Sequence, residues 1–136
     1  MGDIVKIQKG EDIPCDMVIL RTSESSTKSQ CFITTTNIDG ETDIKTKVSL
    51  QLTSQRTFVV VCLFVYYRIS ITCRIPSFLE EHPIIRCEAE NPFTSVFDGV
   101  LQFPITGSLE KITIDSLILR SCRLVFTGMY HKQYPN

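Results

Sequence analysis

The segment Cys31-Phe32-Ile33-Thr34-Thr35-Thr36 narrows the choice of fold more than any other. A phenylalanine followed by four β-branched residues fits a pleated surface and not a helix. Its neighbours have the same character. Ile4-Val5-Lys6-Ile7 is β-rich and stops at Lys9-Gly10-Glu11-Asp12, where Gly10 can take the positive φ of a tight turn. Pro14 lacks an amide donor and suits a strand entrance, after which Asp16-Met17-Val18-Ile19-Leu20-Arg21 predicts a second strand. Further strands are predicted over 43–50, 84–88 and 96–103, and over 111–119, where Ile112 and Ile114 alternate with Thr113 and Asp115. Loops are predicted over 23–30, at Asn91-Pro92 and over 104–107, with a frayed tail over 128–136. No stretch has helical spacing, so short strands cut by turn residues predict an all-β domain.

The longest apolar run, Phe58 to Tyr67, is ten residues long. A spanning helix needs about 20, and Arg56 and Arg68 close this run on either side, which predicts a buried strand. The chain has 136 residues, enough for one domain, and 43% of them are apolar, enough for a modest core. Lys and Arg number 14 against 15 Asp and Glu, so no global field draws the chain to nucleic acid or to an anionic surface. None of the six cysteines forms a Cys-x-x-Cys pair, and His82 and His131 stand far from any ligand cluster, which argues against zinc. The N-terminus has no apolar export signal, so the cysteines are expected as reduced thiols, with Cys15, Cys31, Cys87 and Cys122 as small core residues.

One constellation offers chemistry. In Asp39-Gly40-Glu41-Thr42 the glycine lets the backbone fold back, and Glu41 is presented where a carboxylate can order and deprotonate a water. Thr42 is placed to fix that carboxylate by a hydrogen bond. The plain alternative is that an Asp-Gly step between two strands is only a hairpin turn. Lys45 and Lys47, alternating with Ile44 and Val48, have the pattern of a solvated strand face.

Three separated segments, in order, resemble one family. Gly2-Asp3-Ile4-Val5, then Ile13 to Leu20, then Ile38-Asp39-Gly40-Glu41-Thr42-Asp43-Ile44-Lys45 are similar to the actuator domain of P-type ATPases. Asp-Gly-Glu-Thr in place of Thr-Gly-Glu-Ser resembles the type IV branch, the phospholipid flippases. Farther on, Ile85-Arg86-Cys87-Glu88 resembles their Ile-Glu-Cys-Glu stretch, and Leu117 to Cys122 resembles their Leu-Leu-Arg-Gly-Cys segment.

The resemblance implies a distorted β jelly-roll on the cytosolic face of an endomembrane or plasma membrane. It divides the chain into a first actuator part over 1–50, an insertion over 51–83 that resembles nothing in the family, a second part over 84–125 and a tail over 126–136. It implies that Glu41 positions the water that hydrolyses an aspartyl phosphate, with Gly40 permitting close approach and Asp39 and Thr42 shaping the loop. The implied partners are the phosphorylation domain of the same transporter, a membrane phospholipid as substrate and an accessory membrane subunit. ATP and Mg2+ act in the full-length family protein, and none is expected to be bound by this stretch. The sequence has no Asp-Lys-Thr-Gly-Thr motif and no nucleotide-binding domain, so the chain alone is expected to be inactive. Two rivals stand beside this reading: a non-catalytic β-sandwich binding module, and a nonfunctional truncated product. An ion pair folding Glu41 back onto the strand surface would favour the binding module.

Overall fold

The computed structural model describes residues 4–22, 29–54, 61–64, 73–74, 83–87 and 96–127. Residues 23–28 of the loop expected over 23–30, the Asn91-Pro92 turn, both histidines and the tail from 128 lie outside the described residues, while Gln30 already belongs to a strand. What is described is built mainly of antiparallel strands, as the short β-rich runs predict.

The strand β2 (Met17–Arg21) organises the rest. Its first four residues are all buried, so both of its faces are covered. Val18 and Leu20 enter one core cluster, and Met17 and Ile19 enter the other. β2 belongs to a four-stranded sheet in the order β1 (Ile4–Val5), β5 (Val61–Phe64), β2 and β10 (Leu117–Ile118). β10 divides in the same way, with Leu117 facing the first cluster and Ile118 the second.

On one side of this middle sheet lies a three-stranded sheet in the order β11 (Arg123–Thr127), β3 (Gln30–Thr34) and β4 (Ile44–Val48). It contributes Cys31, Ile33 and Leu124 to the second cluster. On the other side β6 (Cys73–Arg74), β7 (Ile84–Cys87), β8 (Gly99–Gln102) and β9 (Leu109–Ile112) form a third sheet. Ile85, Leu101 and Ile112 alternate inward from it, and Phe103 completes the first cluster.

Two sequence expectations change. The strand expected over 111–119 is broken by a 3-10 turn at Ile114–Ser116. Ile112 packs in the third sheet while Leu117 and Ile118 pair with Val18 and Met17 in the middle one, so the chain must turn a corner between them. β11 was not anticipated and runs to Thr127, where Phe126 stacks on its cross-strand partner Phe32 with ring centroids 4.4 Å apart. Part of the long apolar run, Val61–Phe64, is an interior strand hydrogen-bonded to β1 on one side and β2 on the other. The block over 51–83 thus supplies a strand to the same sheet as the first segment.

That block is also tied down at its start. The carboxylate of Glu110 accepts from the amides of Gln51 (2.6 Å) and Leu52 (2.8 Å), capping the one-turn helix α2 (Gln51–Ser54). A second long-range carboxylate joins two of the segments that carry the family resemblance, 13–20 and 117–122. Asp16 is 8% exposed, and its Oδ1 accepts from the amide of Arg120 at 2.8 Å. Asp16→Ala should cost about 2 kcal/mol, because it strands a part-buried amide donor as well as removing a charge-assisted bond. Urea denaturation of the two proteins measures this.

Candidate functional site

β3 and β4 are neighbours in register, from Gln30 opposite Val48 to Thr34 opposite Ile44. The Asp-Gly step therefore lies in a hairpin connection, but not in a two-residue turn. The connection begins with the one-turn helix α1 (Thr36–Asp39), closed where the Gly40 amide donates to the Thr36 carbonyl at 3.1 Å. Gly40 caps it in the left-handed conformation, φ 75°, which a side chain would strain. A Cβ at that position would meet nothing within 4 Å, so the surface beside Gly40 is open.

Glu41 follows directly. Its amide donates to Asp39 Oδ1 at 3.0 Å, and its carbonyl accepts from the Thr36 hydroxyl at 3.0 Å. The backbone of Glu41 is thus held on both sides. Its side chain remains 56% exposed, and the carboxylate pairs with Lys45 Nζ at 2.7 Å. The same ammonium donates to Asp39 Oδ2 at 3.1 Å. The Glu41 amide first, with smaller contributions from the Thr35 hydroxyl and the Lys45 ammonium, holds the Asp39 carboxyl below the usual carboxylate range. Glu41 and Asp39 together push the Lys45 amine up. Thr42 is exposed, and the hydroxyl that braces the loop belongs to Thr36.

Only one of the two lysines turns away from solvent. The Lys45 side chain is 38% exposed, close to the 41% of Ile44, whereas Lys47 is half-buried. Both ammonium groups find acceptors: Asp39 and Glu41 for Lys45 at the surface, and the Ile114 carbonyl at 2.7 Å for Lys47. Burial pushes the Lys47 amine down from its ordinary value. Burial likewise pushes the thiols up, Cys15 to about 11 and Cys31 to about 12, so they stay protonated and inert at neutral pH. Cys31 and Cys122 are core residues of the second cluster, and Cys15 and Cys87 pack against the two clusters. Among the described residues no three His, Cys, Asp or Glu side chains are arranged to hold a metal ion, and no helix is long and apolar enough to cross a membrane.

The chain is 32% identical over 146 residues to phospholipid-transporting ATPase 10 of Arabidopsis thaliana, a match covering all of this chain and 11% of the relative. It is 36% identical over 146 residues to probable phospholipid-transporting ATPase 4 of the same plant, covering all of this chain and 10% of the relative. The chain belongs to the phospholipid-transporting ATPases, the type IV P-type family. A shorter match, 49% identical over 55 residues, joins 40% of the chain to 5% of the human protein named probable phospholipid-transporting ATPase IIB. No family model matches the chain. This flippase relative spans about a tenth of the length of the two plant proteins.

Membership gives meaning to one irregular residue. Ser121 has φ 67°, the only non-glycine residue with positive φ among the described residues. It stands where the Leu-Leu-Arg-Gly-Cys segment of the resembled flippases carries glycine. Its carbonyl accepts from the Asn37 side chain at 3.2 Å, so the strained turn touches the helix that leads into Asp39-Gly40-Glu41. Nothing in the sequence pattern pointed to this contact, since 84 residues separate its ends. Ser121→Gly should stabilise the chain by about 1 kcal/mol through relief of the left-handed strain. A raised urea midpoint with an unchanged slope checks this.

Proposed function

We propose that this chain is the actuator region of an ATP-driven phospholipid transporter, in which Glu41 positions and deprotonates the water that hydrolyses an aspartyl phosphate supplied by a separate phosphorylation domain. The observation that carries the proposal is the Glu41 carboxylate, exposed beside an open glycine while its own backbone is braced by Asp39 and Thr36. In-line attack on a phosphoryl group depends mainly on placing water and neutralising charge. A rigid backbone with a reachable carboxylate suits the first task. Lys45 suits the second, because an exposed ion pair is weakly held and can exchange its partner for a phosphoryl oxygen.

On this reading residues 1–50 and 84–127 form the actuator domain, since β11 runs two residues past the expected boundary at 125, 51–83 are an insertion that adds β5 to its middle sheet, and Gly40 allows the phosphorylated partner to come close. The family substrate is a membrane phospholipid, and the domain faces the cytosol. ATP and Mg2+ act on other domains of the full-length transporter.

A second reading has its own support. Glu41 does fold toward β4 and pair with Lys45, as in a hairpin turn of a non-catalytic β module. Transcript sequencing separates the two at the level of the gene. An in-frame Asp-Lys-Thr-Gly-Thr motif downstream is the result expected for a transporter. Its absence from every transcript would leave the family relationship as ancestry only and would favour the binding module or a nonfunctional product.

A further inference from the structure

The loop that presents Glu41 belongs to the β3–β4 hairpin, and what it rests on belongs to residues 114–121. Two side-chain donors cross between them: Asn37 Nδ2 to the Ser121 carbonyl at 3.2 Å, and Lys47 Nζ to the Ile114 carbonyl at 2.7 Å. They grip opposite ends of β4, Asn37 ahead of Ile44 and Lys47 beside Val48. The Ser121 carbonyl is itself fixed. The Ser121 amide donates to the Ile13 carbonyl at 2.8 Å, the Cys122 amide donates to the Leu119 carbonyl at 3.3 Å, and the left-handed backbone at Ser121 sets where the carbonyl points.

Asn37 is exposed and is not a core residue, and α1 has four residues, too few to hold a helical turn without outside contacts. We propose that Asn37 is a positioning residue: by donating to the Ser121 carbonyl it locks α1, and through the Gly40 cap and the Asp39 bond to the Glu41 amide it sets where the Glu41 carboxylate sits. Lys47 makes the second, half-buried lock at the other end of the strand. The consequence for chemistry rests on the reading of Glu41 as a base, whereas the lock itself does not.

The test is amide hydrogen exchange by NMR on the 136-residue chain, comparing the parent with Asn37→Ala and with Ile112→Val, a core change that lowers stability without touching the loop. In Asn37→Ala the Gly40 and Glu41 amides should exchange about five- to tenfold faster while the Ile19 and Leu101 amides keep their rates. Lys45, titrated by its side-chain resonances, should fall back toward 10.5 as its two carboxylate partners loosen. Unchanged exchange at Gly40 and Glu41, or acceleration spread equally over all amides as in Ile112→Val, would overturn the proposal. Failure of Glu41→Gln to trap a phosphoenzyme would remove the catalytic reading and leave this anchor standing, so each can fail alone.

Discussion

Replacing Phe103 by alanine should destabilise the chain by about 3–5 kcal/mol. Phe103 is 0% exposed and is the largest of the fully buried side chains among the described residues. It sits immediately after β8, where its amide donates to the Ser108 carbonyl at 2.9 Å and its carbonyl accepts from the Gly107 amide at 2.8 Å. The backbone is therefore pinned, so it cannot shift to fill the space that a phenyl ring leaves. Val18 and Leu20 from the middle sheet meet Ile85, Leu101 and Ile112 from the third sheet in the same cluster, and these β-sheet side chains are as fixed as the strands that carry them. A domain of ordinary stability, about 5–15 kcal/mol, would lose a third or more of it. Leu109→Ala is the matched control. Leu109 is 64% exposed on the outer face of the same sheet and should change stability by about 0.5 kcal/mol or less. Urea midpoints for the two variants decide the matter. Equal small effects would mean that the third sheet does not pack on the middle one as described.

The core was legible in the sequence wherever a run carried its own signal. Met17-Val18-Ile19-Leu20 is apolar at four successive positions, which is the mark of a strand covered on both faces, and β2 is such a strand. The corner at Ile114–Ser116 was not legible, because Ile112 and Ile114 keep a two-residue alternation right up to it. Alternation reports which residues seek cover, not which sheet provides it. At β4 the expectation fails for Lys47 and not for Lys45. An Ile-Lys-Thr-Lys-Val pattern normally sends lysine to solvent, and the Lys45 side chain stays 38% exposed beside Asp39 and Glu41, but the Ile114 carbonyl draws Lys47 inward. At the candidate site the Asp-Gly-Glu-Thr motif was visible from the start, while the residues that hold it were not. Thr36 braces Glu41 from five positions away, and Ser121 anchors Asn37 from a distance that no local pattern encodes.

Glu41→Gln, made in a longer product that carries the Asp-Lys-Thr-Gly-Thr motif in frame, should slow decay of the phosphoenzyme by about 100-fold or more, the usual contribution of a positioned general base. Glutamine keeps the length and shape of the side chain and can still hydrogen-bond a water, so a loss of that size isolates proton abstraction from simple placement. The backbone contacts that hold the loop, from the Glu41 amide to Asp39 and from the Thr36 hydroxyl to the Glu41 carbonyl, do not involve the altered group and should survive. Lys45→Met supplies the comparison. It frees the Glu41 carboxylate from its 2.7 Å ion pair and so makes the base more available, but it removes the cation offered to the phosphoryl group. Its effect on decay should accordingly be smaller than that of Glu41→Gln, since one change partly offsets the other. A pulse of labelled ATP followed by a chase reads both variants directly. If the phosphoenzyme of Glu41→Gln decays at the parent rate while that of Lys45→Met is slowed, the phosphoryl group is met by the lysine alone. Glu41 is then the partner that keeps Lys45 in place, and the water is positioned from outside this chain.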